Sequence, residues 1–425
     1  MNRMERRRKS KVMRHDQKHQ ELIKTAVKHL SAGRPDRAKQ LLTRAVKQAP
    51  DDATSIHFLG VANYQSGDYV AAKEELIKAI EIAPEYAEAQ NSLGNIYLEE
   101  RNYNLAINCY NKSISLQPSY ANAHTNLGEA LIGNGDLEDA EISFRRAIEI
   151  DDQALEPSYR LATTLLGLGK ACDALVEAER CLAINQWCQN ALAAKVMALQ
   201  LLDRQGEADV LQDFSRLVYS PRVECPVGYE SDDDFNYALS EAVKVCPTLN
   251  WEPLNRVTQN GAVTDNMLLK PDRAIQEFEK ALRVSIDQWI KSLEPEIDHP
   301  FLNRIPSNYK LKFIASILKA GGWHPPHLHE AAWLSGVYYV NSPLINYEAV
   351  NEQVSALNPE SDQDGWLEFG RPDYILPADF SPKTISLPPI VGIARCFPSY
   401  FFHGTIPFSV SGERIGIAFD VYPVD

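Results

Sequence analysis

Residues 321–340 read GGWHPPHLHEAAWLSGVYYV, and this stretch decides how the rest of the chain is interpreted. It places His324, His327 and His329 close together and leads directly into a β-rich run. On an extended segment residues i and i+2 share a face, so His327 and His329 can point the same way. A further histidine, His403, lies far along the chain, where a closed β-domain can return it to this pair. Histidine groups of this kind suit iron, copper or zinc.

The C-terminal part of the chain has the pattern of a β-domain. From residue 309 onward, short apolar or alternating runs are separated by turns rich in proline and glycine. This pattern predicts a jelly roll or double-stranded β-helix. The polar stretch 341–365 lacks any periodicity and is predicted to be a lid. The candidate strands are 311–318, 322–329, 333–340, 366–369, 384–387, 390–397, 400–407 and 413–422.

The last candidate strand carries a second chemical signal. In RIGIAFDV, which begins at Arg414, every second residue is a large apolar one, which predicts one buried face. The opposite face starts with Arg414 and continues with the small residues Gly416 and Ala418. An arginine leading a file of tiny side chains suits a barrel interior that admits a dicarboxylate, because a guanidinium binds a carboxylate through two parallel hydrogen bonds.

The N-terminal half repeats with a period of 34 residues. Pro50, Pro84 and Pro118 mark the period, and Leu-Gly pairs recur at the same pitch. Small residues at fixed offsets predict two closely crossing antiparallel helices per unit, and proline ends the second helix. This resembles the tetratricopeptide repeat over 19–186, with five units and a degenerate cap to residue 216. Two sets of small residues carry the match: Ala38, Ala72, Ala106, Ala140 and Ala174, then Ala45, Ala79, Ser113, Ala147 and Cys181.

The chain is therefore expected to be an α + β protein of two folded domains. An all-α solenoid precedes a double-stranded β-helix with flanking helices, one of them predicted at 271–293 from its apolar spacing. The predicted divisions are a basic disordered N-terminus (1–18), the solenoid (19–216), a linker with buttressing helices (217–300) and the β-domain (301–425).

Composition narrows the class of protein. The formal net charge of −14 argues against a nucleic-acid partner for the folded domains, because phosphate binding needs a basic face. No apolar stretch is long enough for a membrane span. The cysteines are odd in number and form no C-x-x-C pair, which favours a reducing, cytoplasmic location.

The β-domain resembles iron(II)/2-oxoglutarate-dependent oxygenases, from about residue 260 to 425. The resemblance rests on PHLH at 326–329, WLSGVYY at 333–339, and FPSYFFHG at 397–404 followed by SGERIGIAF at 411–419. It implies His327 and His403 as iron ligands and Arg414 as the partner of the 2-oxoglutarate C5 carboxylate. Hydroxylation of a substrate would follow, using Fe(II), 2-oxoglutarate and O2, with succinate and carbon dioxide released and ascorbate as a candidate reductant. Tyr339 and Ser335 are further candidate contacts of the co-substrate.

One position departs from the wider superfamily, whose metal sites combine two histidines with one carboxylate. Here the third position is His329, and the neighbouring Glu330 would face away on a regular strand. Either residue could complete the site. Two alternatives to a hydroxylase therefore stay open: a non-catalytic adaptor with a degenerate barrel, and a cupin-like metalloenzyme that uses no 2-oxoglutarate.

The repeat array predicts protein binding. A solenoid presents a concave groove, and tetratricopeptide domains bind extended peptides or partner proteins there. The array is thus expected to hold a protein or peptide substrate or an assembly partner. The groove candidates are His57, Asn91, Asn95, Asn126 and Glu129.

Overall fold

The computed structural model describes residues 3–252, 258–343 and 363–424, with side chains from residue 16 onward. The predicted lid at 341–365 falls largely on 344–362, outside the described residues. The chain forms two compact units, Met1–Thr164 and Leu165–Asp425.

The first unit consists of helical hairpins. Short loops join the two helices of each hairpin, at the period that the sequence predicts. The predicted helical solenoid is confirmed. The helices are α1 (Arg3–Ser31), α2 (Pro35–Gln48), α3 (Ala53–Gln65), α4 (Tyr69–Ile82), α5 (Ala87–Glu99), α6 (Tyr103–Leu116), α7 (Ala121–Asn134) and α8 (Leu137–Ile150), and α9 (Leu155–Gly167) crosses the division.

The recurring glycines explain how closely the two helices of a hairpin approach. A Cβ atom on Gly60 would lie 2.8 Å from Leu76, one on Gly94 would lie 2.5 Å from Tyr110, and one on Gly128 would lie 2.6 Å from Phe144. Each partner side chain is fully buried in the second helix of the same hairpin. Glycine is therefore required at this offset because the facing side chain occupies the space of a Cβ atom.

The basic N-terminal stretch is helical, although disorder is predicted for residues 1–18. Helix α1 begins at Arg3 and continues to Ser31. The physical reason is local composition. No glycine occurs before Gly33 and no proline before Pro35, and the lysine, arginine, glutamate and glutamine side chains lose little freedom in a helix.

The second unit contains the end of the repeats and the β-domain. Its helices are α10 (Ala171–Ile184), α11 (Gln189–Leu201), α12 (Gln205–Leu211), α13 (Phe214–Leu217), α14 (Asp232–Lys244) and α15 (Arg273–Ser292). Its strands are β1 (Asn250–Trp251), β2 (Gln259–Val263), β3 (Tyr309–Trp323), β4 (Leu334–Asn341), β5 (Leu367–Phe369), β6 (Ile385–Leu387), β7 (Ala394–Pro398), β8 (His403–Thr405) and β9 (Arg414–Pro423). Short 3-10 turns lie at Met267–Leu269 and Leu302–Arg304.

The strands form antiparallel sheets, as the predicted jelly roll requires. Within the described residues, one sheet has the order β1-β2-β3-β9-β4-β7 and the other has the order β6-β5-β8. Strand β9 lies between β3 and β4, so Gly416 pairs with Ser316 on one side and Tyr339 on the other. The apolar face predicted for β9 is confirmed, because its large apolar residues are buried in the core: Ile415, Ile417, Phe419 and Val421.

Helix α15 covers this core and confirms the helix predicted at 271–293. Its Phe278 ring lies 5.2 Å from the Phe313 ring on β3 and 4.8 Å from the Tyr338 ring on β4, measured between centroids. Trp289 stacks on Tyr219 at 5.2 Å. The aromatic contacts fix the helix against the outer face of the sheet, opposite the face that carries Arg414.

The cap of the repeats packs on the β-domain. Gln189 Nε2 donates to Ala332 O at 3.0 Å, and Tyr400 donates its hydroxyl hydrogen to Leu211 O. This packing explains why the compact units divide after Thr164, whereas the repeat pattern predicts a domain boundary near residue 216.

We expect Gly128→Ala to destabilise the repeat array by about 1–3 kcal/mol, because the new methyl group overlaps the buried Phe144 ring. This outweighs the gain of about 1 kcal/mol in helix propensity. Urea unfolding of the full chain, followed by circular dichroism, measures the effect. The matched control is Gly206→Ala in α12, where the new Cβ would lie in open space. Equal or higher unfolding midpoints for Gly128→Ala than for the control would contradict the account.

Candidate metal centre and co-substrate cavity

The backbone brings two distant histidines together. The His327 N–H donates to His403 O at 3.0 Å, and the His403 N–H donates to His327 O at 2.9 Å. This antiparallel bridge joins the segment after β3 to strand β8. The strand predicted at 322–329 is not continuous, because β3 ends at Trp323 and two prolines without N–H groups follow it.

The bridge gathers His327, His329 and His403 into one cluster. Each residue offers one ring nitrogen to the cluster, and these three nitrogens all lie within 4.8 Å of one another. The ring centroids are 4.3 Å apart for His327 and His403, 5.1 Å for His329 and His403, and 5.3 Å for His327 and His329. The structure therefore brings together the histidines predicted as metal ligands.

Hydrogen bonds select the tautomer of each ring. His327 Nδ1 lies 2.9 Å from Pro325 O, and His403 Nδ1 lies 3.0 Å from Phe401 O. His329 Nδ1 is bonded to a carboxylate oxygen of Asp420. Carbonyl and carboxylate oxygens only accept, so Nδ1 carries the hydrogen in each ring. In the neutral ring Nε2 then has a free lone pair, the state in which imidazole binds a metal.

Burial keeps the His327 and His403 rings neutral. It lowers the pKa of His327 to about 4, with a further contribution from the neighbouring His329. It also holds the pKa of His403 well below its ordinary value. Both rings are therefore uncharged at neutral pH, and a metal ion would not have to displace protons from them.

Asp420 on β9 is a buried carboxylate behind His329. Besides the His329 ring, it accepts from the Ser335 hydroxyl at 2.8 Å and from the Tyr422 hydroxyl at 3.1 Å. Burial by itself would raise the pKa of Asp420, but the hydrogen bonds from His329, Ser335 and Tyr422 lower it overall. The group is therefore an anion at neutral pH.

Asp420 was not among the candidates from sequence, although a signal for it was present. Continuing the alternation of β9 from Arg414 through Gly416 and Ala418 places Asp420 on the same inward face. A carboxylate on the face of a predicted metal cavity is a candidate ligand or ligand partner.

Glu330 and His324 lie outside the histidine cluster. Glu330 is exposed and accepts from Asn190 Nδ2 at 2.8 Å. His324 contacts the Thr405 hydroxyl through Nδ1 at 3.3 Å, and burial lowers the pKa of His324 to about 3. Within the described residues, the cluster that could hold a metal contains His329 and neither of these two residues.

A cavity of about 210 Å³ connects the histidine cluster to the inward face of β9. Arg414, Gly416 and Ala418 line it together with side chains of β3, including Ser316. Arg414 is buried, donates to Gly365 O at 2.6 Å and lies over the Tyr339 ring at 4.9 Å from its centroid. A guanidinium is thus fixed in the same cavity as the histidines.

Tyr339 and Ser335, the other candidate contacts of the co-substrate, are placed differently from Arg414. Tyr339 supports Arg414 by this stacking, and Ser335 lies 2.8 Å from the Ser399 hydroxyl while it donates to Asp420. Among the described residues that line the cavity, neither Tyr339 nor Ser335 is found. The structure therefore connects both side chains to the site through other residues.

The groove candidates form hydrogen bonds between neighbouring repeats. His57 is buried and lies 2.9 Å from the Ser92 hydroxyl, and burial lowers its pKa to about 4. Asn126 donates to both Asn91 and Asn95 at 3.0 Å. Glu129 is paired with Arg160 at 2.7 Å. Their role in a groove stays a prediction, and in the structure these side chains link one repeat to the next.

Comparison with protein families separates the two parts of the chain. Residues 314–420 match the family described as "Putative 2OG-Fe(II) oxygenase". Residues 29–96, 94–135 and 121–153 match tetratricopeptide repeat families. The chain joins tetratricopeptide repeats to a domain of this oxygenase family. The histidine cluster, Arg414 and Asp420 all lie within the oxygenase match.

Several solved structures are similar to part of the chain. PilF of Pseudomonas aeruginosa is 18% identical over 46% of this chain and 88% of its own, with a TM-score of 0.42. TTC0263, a thermophilic tetratricopeptide protein of Thermus thermophilus, is 22% identical over 45% of this chain and 100% of its own, with a TM-score of 0.37. YrrB, a tetratricopeptide protein with an unusual peptide-binding site, is 18% identical over 39% of this chain and 86% of its own, with a TM-score of 0.36.

No curated protein matches the chain. Among the described residues, none of the helices has both the length and the apolar character needed to cross a membrane.

The histidine cluster predicts which imidazoles bind a metal. We expect His403→Ala to weaken Co(II) binding by about 100-fold or more, because one of three strong donors is lost. The matched control is His324→Ala, which removes a cavity imidazole outside the cluster and should leave Co(II) affinity within about threefold of wild type. Competition with a coloured chelator measures both affinities. Equal losses in the two variants would contradict the assignment of the cluster.

Proposed function

We propose that this chain is an Fe(II)/2-oxoglutarate-dependent oxygenase that hydroxylates a substrate, with the repeat array holding a protein or peptide. The observation that carries the proposal is the shared cavity. The three histidines whose ring nitrogens could share one metal line the cavity that Arg414 also lines. A metal site and a carboxylate-binding guanidinium in one buried cavity suit a dicarboxylate that bridges them.

The donor set fits Fe(II). Imidazole is a ligand that suits iron, and the hydrogen bond at Nδ1 of each ring leaves Nε2 as the nitrogen that can bind it. We assign His327, His329 and His403 as the ligands. When Fe(II) and 2-oxoglutarate are bound, O2 is reduced as 2-oxoglutarate becomes succinate and carbon dioxide, and one oxygen atom enters the substrate.

Arg414 is assigned to the C5 carboxylate of 2-oxoglutarate. Its guanidinium is held by Gly365 O and by the Tyr339 ring, so its direction is set before the co-substrate arrives. Gly416 and Ala418 leave room along the strand between Arg414 and the end that carries Asp420. A larger side chain at Gly416 would occupy this room, since its Cβ would already lie 3.2 Å from Val337.

The repeat array is assigned to the recruitment of a protein or peptide. Tetratricopeptide solenoids bind chains along a surface built from successive helices. The substrate of the oxygenase is then a protein side chain presented by, or together with, the bound partner. We also place the protein in the cytoplasm. Its cysteines are all free thiols, which agrees with a reducing compartment.

The proposal is tested by following 2-oxoglutarate in two stages with the full chain. Without O2, 2-oxoglutarate should add a visible absorption band to the Fe(II) protein, and admission of O2 with ascorbate should then release succinate. Arg414→Ala should weaken 2-oxoglutarate binding by about 10–100-fold, the range expected for losing hydrogen bonds to a charged group. The control is Arg371→Ala, because Arg371 is exposed and paired with Glu368.

Each alternative function has its own outcome in this experiment. Metal binding without any affinity for 2-oxoglutarate would indicate a cupin-like enzyme. Binding of 2-oxoglutarate without succinate, even in the presence of the protein partner, would indicate an adaptor. Equal affinities in the Arg414 and Arg371 variants would contradict the assignment of Arg414.

A further inference from the structure

Within the part of the chain that the structure describes, the proposed iron site lacks the carboxylate ligand of the common two-histidine, one-carboxylate arrangement. Its protein ligands are three neutral imidazoles, so they contribute no negative charge to balance the metal ion. Glu330 cannot supply that charge directly, because it is exposed and bonded to Asn190. Among the described residues, Asp420 is a buried carboxylate that contacts the far side of the His329 ring.

We propose that Asp420 supplies the negative charge that a carboxylate ligand would otherwise supply, and that it acts on the metal through the His329 imidazole. This inference rests on the proposed function, since it needs a metal at the histidine cluster. Asp420 is a positioning residue. Its oxygens accept the Nδ1–H of His329, fix the plane of that ring and draw the N–H hydrogen toward the anion. A histidine bonded in this way is a more basic ligand at Nε2.

The surroundings of Asp420 show that the carboxylate is built into the site. Asp420 is 7% exposed and pairs on β9 with Ser335 on the adjacent strand β4. Ser335 donates to one carboxylate oxygen and Tyr422 donates to the other. With one oxygen held by Ser335 on β4 and the other by Tyr422 on β9 itself, Asp420 is oriented before a metal binds and needs no rearrangement to receive the His329 hydrogen.

The position of Asp420 also distinguishes its proposed action through His329 from direct binding to the metal. The His329 Nδ1 and Nε2 atoms lie on opposite sides of the ring, and Asp420 holds Nδ1. Within the described residues, the group whose atoms could share one metal contains the histidines and not Asp420. The negative charge therefore lies one imidazole ring away from the metal position.

The test compares Asp420→Asn with the charge-matched control Asp209→Asn, whose carboxylate pairs with Lys383 at the surface. Co(II) is titrated into each purified full-length protein in competition with a chelator. We expect Asp420→Asn to bind Co(II) about 10–100-fold more weakly than wild type, the usual effect of losing such a partner of a ligand. Asp209→Asn should bind like wild type. Tyr422→Phe, which keeps the charge, should have a smaller effect than Asp420→Asn.

Two outcomes would overturn the inference. One is a folded Asp420→Asn protein with the Co(II) affinity of wild type. The other outcome is measured on the wild-type protein, so it tests the inference even if Asp420→Asn does not fold. Proton NMR of the zinc-loaded wild-type protein should contain an Nδ1–H signal shifted strongly downfield and absent in His329→Asn. If every imidazole N–H signal has an ordinary shift, Asp420 does not act through His329.

Different results would contradict the role of Asp420 and the proposed oxygenase function. If Asp420 governs Co(II) affinity but the Fe(II) protein neither binds 2-oxoglutarate nor forms succinate, the site is a metal centre without oxygenase activity. If succinate forms and Asp420→Asn binds Co(II) like wild type, the oxygenase stands and the part assigned to Asp420 is wrong. Absence of metal binding by wild type would contradict both.

Discussion

The site depends on the antiparallel bridge between His327 and His403. Its two backbone hydrogen bonds join segments far apart in sequence, and they bring the rings of both residues to within 4.3 Å of each other, measured between centroids. The prolines before His327 make this local geometry accessible, because they end strand β3 without needing N–H partners. The remaining parts of the site, His329 and the inward face of β9, are placed relative to this bridge by the central sheet.

The structure changes how the departure at His329 should be understood. From sequence, a histidine in place of a carboxylate suggests a weakened or inactive site. In the folded protein a buried aspartate, Asp420, holds that histidine and remains anionic. In the proposed site this negative charge lies behind the assigned ligand His329 instead of on the metal. The proposal thus assigns the charge of the missing carboxylate ligand to a residue on a different strand.

The sequence predicted those features that follow from local periodicity. Alternation on the last strand placed Arg414 on an inward face, and the two-residue spacing of His327 and His329 predicted their shared direction. Features set by tertiary contacts were missed. The acceptors that select each histidine tautomer are mostly backbone carbonyls, which no residue pattern encodes. The groove candidates, such as His57, were assigned from helix position alone, and their bonds to adjacent repeats depend on how the repeats stack.

The central claim is that three histidines, with no protein carboxylate, hold the metal. X-ray absorption of the Fe(II)-loaded full-length protein, before 2-oxoglutarate is added, tests it directly. The account predicts multiple scattering from three imidazole rings, with the remaining positions filled by water, and from two rings in His329→Ala. Two imidazoles with a protein carboxylate in the wild-type protein would contradict it.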